Sequence, residues 1–474
     1  MKKYDIVIGL EIHAELNTKS KVFCSCKNEF GAEPNTQVCP VCLGLPGALP
    51  ILNKKAVEST IKAGLSLGCE INDIAVFERK NYFYPDLSKA YQISQLQKPI
   101  CLYGGITLDS GKYIRLNRIH LEEDAGKLTH ISQAVGSYVD YNRGGVPLIE
   151  IVTEPDISSA DEAVEFVTKL RQILIYSGVA NCKMEQGGLR CDVNLSVKEQ
   201  DSVVLGTRVE MKNLNSFKSI YRAIEYEAHR QIDELTKGNI IKQQTRGWDD
   251  NRGRNYTMRE KEDANDYRYF PDPDILNVVI SREEVARLKS ELPEGVIDRK
   301  NRYLNLGLSE YDANILTSEK LISDYYDLLL KEIDEPKECA NWVMTDVLRV
   351  YKESTAVDNL ETIITSQNLS QIIKLVINKE ITRTNSKILF EEVIKTGKDV
   401  ETLVKELELV GSVETDDIIN IIEELITDNP NLIEDYKNEP GDITNYVIGN
   451  IMRHTGGKAN VSKVKMLITE RFNK

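Results

Sequence analysis

The chain has 474 residues, 41% hydrophobic and 28% charged, a globular composition that excludes a disordered tail protein. A formal net charge of −14 excludes a protein that coats nucleic acid through an overall basic surface, and leaves room only for a local basic patch. At roughly 150 residues per domain, the length predicts two or three domains, and no run approaches the roughly 18 apolar residues of a spanning helix. The opening Met1-Lys2-Lys3-Tyr4-Asp5 turns acidic before any signal-peptide core could form, so a soluble cytoplasmic protein is expected, with no membrane partner.

The first segment, residues 4–16, alternates, Val7 apart. Ile6, Ile8, Leu10, Ile12, Ala14 and Leu16 occupy the even positions, while Glu11, His13 and Glu15 share the other face. A strand of this pattern sets those three polar groups about 7 Å apart on one face. Next comes Cys24-Ser25-Cys26, then, twelve residues on, Cys39-Pro40-Val41-Cys42. Two close thiol pairs on a short loop are the usual basis of a tetrahedral Zn²⁺ site, here read as a knuckle over 24–42. Four cysteine ligands leave no open position, so its role is structural. The nine cysteines, odd in number on a chain without a leader, do not read as a disulfide framework.

Further along, Glu78-Arg79-Lys80-Asn81-Tyr82-Phe83-Tyr84-Pro85-Asp86 mixes cations with aromatics, as a phosphate-handling segment would. Alternation then returns four times. In 118–125, His120, Glu122 and Asp124 oppose Ile119 and Leu121. In 148–154, Glu150 stands between Ile149 and Ile151, where a lone carboxylate is expensive. In 189–197, Arg190, Asp192 and Asn194 alternate with Leu189, Cys191, Val193 and Leu195. In 207–213, Arg208, Glu210 and Lys212 alternate with Val209 and Met211. The later segment Asp266-Tyr267-Arg268-Tyr269-Phe270-Pro271-Asp272 again joins a cation to aromatics, with more acid.

Any one of these strands alone reads as an ordinary half-exposed strand. Five that gather carboxylates, with imidazoles beside them, would repel themselves unless cations bind. Oxygen ligands with an occasional imidazole suit Mg²⁺, which keeps waters and binds phosphates. The pattern therefore predicts a Mg-nucleotide site on an open sheet. A carboxylate-pair hydrolase is the rival reading, and a non-catalytic RNA scaffold a third, which an acidic face disfavours. From about Glu294 onward the periodicity turns helical, with patterns at 304–308, 313–316, 321–330, 340–351 and 360–364 and a second set from Leu369 to the end. The fold class expected is α+β: an open, mostly antiparallel sheet cradle over 1–292, a helical domain over 293–400 and a small helical tail over 401–474. Within the tail, Arg453, Lys458, Lys463, Lys465, Arg471 and Lys474 are opposed only by Glu470, a local basic end.

Taken together the motifs resemble one family, the B subunits (GatB) of the bacterial tRNA-dependent amidotransferases. They are Ile8-Gly9-Leu10-Glu11-Ile12-His13-Ala14-Glu15-Leu16, Arg79-Lys80-Asn81-Tyr82-Phe83-Tyr84-Pro85-Asp86, His120-Leu121-Glu122-Glu123-Asp124-Ala125-Gly126-Lys127 and Pro147-Leu148-Ile149-Glu150-Ile151-Val152-Thr153-Glu154-Pro155-Asp156, followed by Leu189-Arg190-Cys191-Asp192-Val193-Asn194, Lys212-Asn213-Leu214-Asn215-Ser216 and Asp266-Tyr267-Arg268-Tyr269-Phe270-Pro271. The resemblance runs nearly end to end. It implies a cradle like the glutamine synthetase core, and a glutamine-dependent carbon–nitrogen ligase acting on glutamate or aspartate wrongly loaded on tRNA(Gln) or tRNA(Asn). ATP phosphorylates the side-chain carboxylate, and ammonia from a partner amidase, the A subunit, displaces the phosphate; a small C subunit completes the heterotrimer. It places Mg²⁺ on Glu11, His13, Glu122, Glu123 and Glu150, with alternation favouring Glu122 over Glu123. Asp192 and Glu210 are further ligand candidates. Arg79 and Lys80 are expected at the transferred phosphoryl group, Lys212 at the acyl phosphate, and Arg268 in the nucleotide-binding set. The tail cations Arg453, Lys458, Lys463 and Lys465 are expected to contact tRNA by shape and backbone. The chain has no amidase serine cluster of its own. The cysteine knuckle occurs in only some members of the family, so it braces a loop without being essential to the reaction. The archaeal type with an extra inserted domain has no room here.

Overall fold

A computed structural model describes residues 3–130, 136–260, 266–354, 357–407, 409, 415–455, 459 and 461–472. It divides into two compact units, Met1–Asp298 and Arg299–Lys474. The first is built on a ten-stranded sheet. Five of its strands are those with the alternating pattern: β1 (Tyr4–Glu15), β2 (Tyr113–Glu123), β3 (Pro147–Thr153), β4 (Leu189–Glu199) and β5 (Val209–Leu214). Across the sheet the order is Arg254–Glu260, Gln244–Asp249, β5, β4, β1, β3, β2, Cys101–Leu102 and Glu70–Ile71, with Gly105–Thr107 paired to β2 at the side. All of these pairings are antiparallel except that of β5 with Gln244–Asp249. A parallel pair needs a crossover, and helix α3 (Phe217–Thr236) supplies it.

The apolar half of each alternation builds the core. Ile8, Leu10, Ile12 and Ala14 of β1 pack in one cluster with Ile119 and Leu121 of β2, Ile149 and Ile151 of β3 and Val193 and Leu195 of β4. The same cluster takes in Ala56, Ile61 and Ala63 of helix α1 (Lys54–Ser66), Phe166, Val167 and Leu170 of helix α2 (Ala160–Tyr176), and Ile220, Ala223 and Ile224 of α3. Burying each of the Ile, Leu, Val and Phe side chains among them contributes about 1.5–3 kcal/mol. With three helices in the core on the apolar face, the polar face of β1–β5 is partly covered by a second sheet, and His120, Glu122 and Glu150 are buried there. That sheet has three strands, Phe270–Pro271, Glu78–Asn81 and Tyr91–Ser94 in that order. The α+β expectation therefore holds, as a mixed sheet followed by a helical region.

The second unit contains two separate hydrophobic cores, one running from Tyr303 to Leu409 and the other from Ile418 to Phe472. Leu403 and Leu409, beyond the expected 400/401 division, belong to the first of them. Two of the expected helical patterns take other forms. Leu360–Thr362 is a single tight turn, and 340–351 is broken by a π-helical turn at Val343–Val347, where Thr345 Oγ donates back to Asn341 O at 2.7 Å. Among the described residues, no helix is long and apolar enough to cross a membrane.

Candidate active site

The registry of four strands builds one row of side chains. Arg190 of β4 stands opposite His13 of β1, His13 opposite Glu150 of β3, and Glu150 opposite His120 of β2. Because alternate residues share a face, Glu11 joins the row from β1 and Glu122 from β2. His13 Nε2 lies 3.2 Å from Glu150 Oε2, 3.7 Å from Glu11 Oε1 and 3.8 Å from Glu122 Oε1. His120 Nε2 lies 3.4 Å from Glu122 Oε2 and 3.8 Å from Glu150 Oε2. Ser94 Oγ of the crossing sheet donates to Glu122 Oε2 at 3.0 Å.

The electrostatics are those of charge gathered out of water. Burial raises the Glu11 carboxyl above its ordinary value, and the neighbouring Glu150 carboxylate raises it further. Burial would lower the His13 imidazole, but its bond to Glu150 and the nearby Glu122 and Glu11 carboxylates push it up to about 9. Burial likewise works to raise Glu150, yet His120, His13 and Lys80 hold it well below the carboxylate range. Lys80 is pulled down by burial and pushed up more strongly by Glu122, Tyr269 and Glu150, so it stays an ammonium. Two sets of donor atoms, Glu11–His13–Glu150 and His120–Glu122–Glu150, each lie within 4.8 Å of one another. Oxygens plus imidazole at that separation fit a divalent cation such as Mg²⁺, with Glu150 common to both sets.

Several expected residues stand elsewhere. Glu123 alternates to the opposite face, where Lys89 Nζ meets both of its oxygens at 2.6 Å and the Ile93 amide donates to it at 2.9 Å. It is therefore not with the metal-ligand candidates. Arg79 and Lys80 are neighbours on a short strand and so point apart. Arg79 is held by Asp272 at 2.7 Å and Asp274 at 2.9 Å, and lies over the Tyr91 ring, while Lys80 is the one turned toward the cluster, over Tyr267 and Tyr82. Arg268 is exposed, with left-handed φ +47°, and its carbonyl accepts from Asn81 Nδ2 at 2.8 Å. The two aromatic segments, far apart in sequence, are thus joined, with Phe270 paired to Arg79. Asp192, opposite Glu11, is bonded to Lys212 Nζ; Glu210 Oε1 lies 3.1 Å from the same ammonium, and Glu210 Oε2 accepts from Thr245.

Some residues at the site carry no expected role. His120 and Arg190 have the same strand alternation as their neighbours, and that signal places them on this face. Arg143 lies outside the five alternating strands, and no sequence pattern marks it. It meets Asp124 Oδ2 at 2.6 Å, beside Arg190 at 2.8 Å.

Cys24, Cys26, Cys39 and Cys42 come together as the knuckle spacing predicts, their sulfurs within 4.8 Å of one another. The Cys24 thiol hydrogen-bonds Cys42 and, with the Cys39 amide and Lys21 nearby, brings the Cys42 thiol down to about 4, whereas burial pushes Cys26 up to about 11. Four sulfurs converging at this separation suit a tetrahedral thiolate metal such as Zn²⁺. In the second unit, Arg453 is exposed at the end of helix Pro440–His454; Lys465 is exposed and Lys463 half-buried on helix Val461–Phe472. Lys458 lies outside the described residues.

Two family models match the chain. Residues 6–286 match the one described as the GatB/GatE catalytic domain, and residues 324–472 match the GatB domain. The chain is 48% identical over 480 residues to a Caldicellulosiruptor bescii protein, and equally to one from Caldicellulosiruptor saccharolyticus. It is 47% identical over 476 residues to one from Thermoanaerobacter pseudethanolicus. In each case all of both chains is covered, and each of the three is named as the B subunit of an aspartyl/glutamyl-tRNA(Asn/Gln) amidotransferase.

Proposed function

This chain belongs to the family of aspartyl/glutamyl-tRNA(Asn/Gln) amidotransferase B subunits, and on that premise we propose that its open sheet face carries out the ligase half of the reaction. The substrate is a misacylated Glu-tRNA(Gln), Asp-tRNA(Asn) or both. A carboxylate is a poor acyl donor, since its leaving group would be oxide. The side-chain carboxylate oxygen attacks the terminal phosphorus of ATP, ADP departs, and a mixed carboxylic–phosphoric anhydride results. Ammonia then adds to the acyl carbon, phosphate leaves with the bonding electron pair, and the proton lost from nitrogen leaves an amide.

The observation that carries this reading is the row of His13, Glu150 and His120 with Glu11 and Glu122 alongside, an acidic and imidazole-bearing face beside the half-buried ammonium of Lys80. Glu11, His13, Glu122, His120 and Glu150 would hold Mg²⁺, which when bound supplies neutralisation of phosphate charge. Lys80 adds a fixed positive charge on the side of the aromatic segments, placed to attract the phosphoryl group. Lys212, between Asp192 and Glu210, is a second cation for the acyl phosphate. The four cysteines are assigned to a structural Zn²⁺, and the cations Arg453, Lys463 and Lys465 of the tail, with Lys458, to the tRNA backbone. An amidase and a small third protein are the partners that complete a heterotrimer, the amidase supplying ammonia.

The test is reconstitution with both partners, ATP, Mg²⁺ and Glu-tRNA(Gln), using ammonium as nitrogen donor. Formation of Gln-tRNA(Gln) together with ADP supports the assignment. A competent set of partners and tRNA that consumes no ATP sinks it.

A further inference from the structure

We propose that Arg143 and Arg190 together form the oxyanion site that grips the phosphoryl group, next to the row of candidate metal ligands. The proposal rests on the ligase reading above and assigns two residues that it leaves unused. Both guanidinium groups converge on a single carboxylate oxygen, Asp124 Oδ2, with Arg143 Nε at 2.6 Å and Arg190 Nη2 at 2.8 Å. Two cations thus share one buried anion, with Glu15 Oε1 a looser 3.5 Å from Arg143 Nε. Each guanidinium also has a buried nitrogen that no acceptor meets among the described residues, Nη2 of Arg143 and Nε of Arg190. A buried N–H without an acceptor is costly, and an arriving anion would relieve both. The side chains remain 30% and 36% exposed, so they can turn to meet one.

Position decides what the anion does. Arg190 is the end member of the row that continues through His13 and Glu150 to His120, so an oxyanion on the arginines is flanked by the candidate metal ligands. A polar cleft of about 370 Å³, lined by Asn17, Lys19 and Asn181 among others, reaches Glu15, which lies 3.5 Å from Arg143. One guanidinium fork saturates a planar carboxylate, whereas a tetrahedral phosphoryl group offers three oxygens to donors from two directions. Two separate arginines set against one another match the second shape.

The assembled complex tests this with inorganic phosphate and glutarate as probes in equilibrium dialysis, with Mg²⁺ present. Arg143→Gln and Arg190→Gln should each weaken phosphate binding about tenfold or more, with Arg190→Lys intermediate because it keeps charge but loses the fork. Glutarate binding should not change. Because both arginines hold Asp124, thermal melting is followed for every variant, and Arg143→Lys and Arg190→Lys serve where a Gln variant fails to fold. Phosphate affinity that the folded variants retain overturns the proposal. So does a loss confined to glutarate, which would make the pair the holder of the substrate carboxylate. A wild-type complex that binds phosphate through these arginines yet never uses ATP would sink the ligase reading and leave the oxyanion site standing.

Discussion

His13 and Glu150 face each other directly across two antiparallel strands, with Nε2 of one 3.2 Å from Oε2 of the other. The contact is set by backbone registry, since a one-residue slip of β3 would carry Glu150 to the apolar face. The two groups favour each other's charged forms: the imidazole is pushed up to about 9 and the carboxylate held low. Losing either partner removes the closest charge facing the other and leaves His13 to Glu11 and Glu122, and Glu150 to His120.

Adjacent glutamates on β2 should therefore respond in opposite ways. Glu122→Gln should weaken Mg²⁺ binding about tenfold or more and leave thermal stability nearly unchanged. Glu123→Gln should leave Mg²⁺ affinity intact and destabilise by about 3–5 kcal/mol, because the partly buried Lys89 loses its counter-ion. Isothermal titration and urea unfolding of both variants check this. Equal loss of metal affinity in the two would contradict the alternation of faces.

Metal analysis of the purified protein should find zinc bound by the cysteines. Substituting Cys39→Ser or Cys42→Ser, or prolonged chelation, should release it and lower the melting temperature by several degrees, as for other structural thiolate sites. Protein purified without zinc and as stable as the cysteine variants would contradict a metal role for the cluster.

The site was readable in the sequence as far as strand periodicity reaches. Period-two alternation placed Glu11, His13, Glu122 and Glu150 on one face from local sequence alone, and it preferred Glu122 to Glu123 for the same reason. What alternation does not encode is which residues face each other across strands. The pairing of His13 with both Arg190 and Glu150 depends on registry between segments more than 130 positions apart in the chain. The split between Arg79 and Lys80 follows the same rule on a strand of only four residues, too short to show its period next to aromatics. Arg143, outside the five alternating strands, carries no local signal. The π-helical turn at Val343–Val347 is likewise hidden, because it adds a residue to a helix whose apolar stripe continues on both sides.

Acid should loosen the turn that follows β3. Three hydrogen bonds from Arg115 hold the Asp156 carboxyl below its ordinary value of 3.8. Burial tends to raise Glu162, but bonds from Lys112 and Ser158 hold it below 4.5. A carboxylate whose folded value is depressed contributes stability that is present above its ordinary value and lost as the pH falls through the folded one. For these partly exposed groups the contribution is less than about 1 kcal/mol each. Urea midpoints of the wild type and of the Asp156→Asn/Glu162→Gln variant should differ at about pH 5 and converge as the pH falls below the depressed folded values. A difference that persists unchanged in acid would show that charge is not its source.

The central claim is that the sheet face bearing Glu150 performs the ATP-dependent step, and one comparison reaches it directly. The complex reconstituted with its amidase and small partner proteins is given ATP, Mg²⁺, ammonium and Glu-tRNA(Gln), as wild type and as Glu150→Ala. The account predicts conversion by the wild type and a loss of at least about 100-fold in the variant, since one substitution removes a donor common to both ligand sets. Conversion that survives Glu150→Ala at the wild-type rate would leave the family membership in place and move the chemistry off this face.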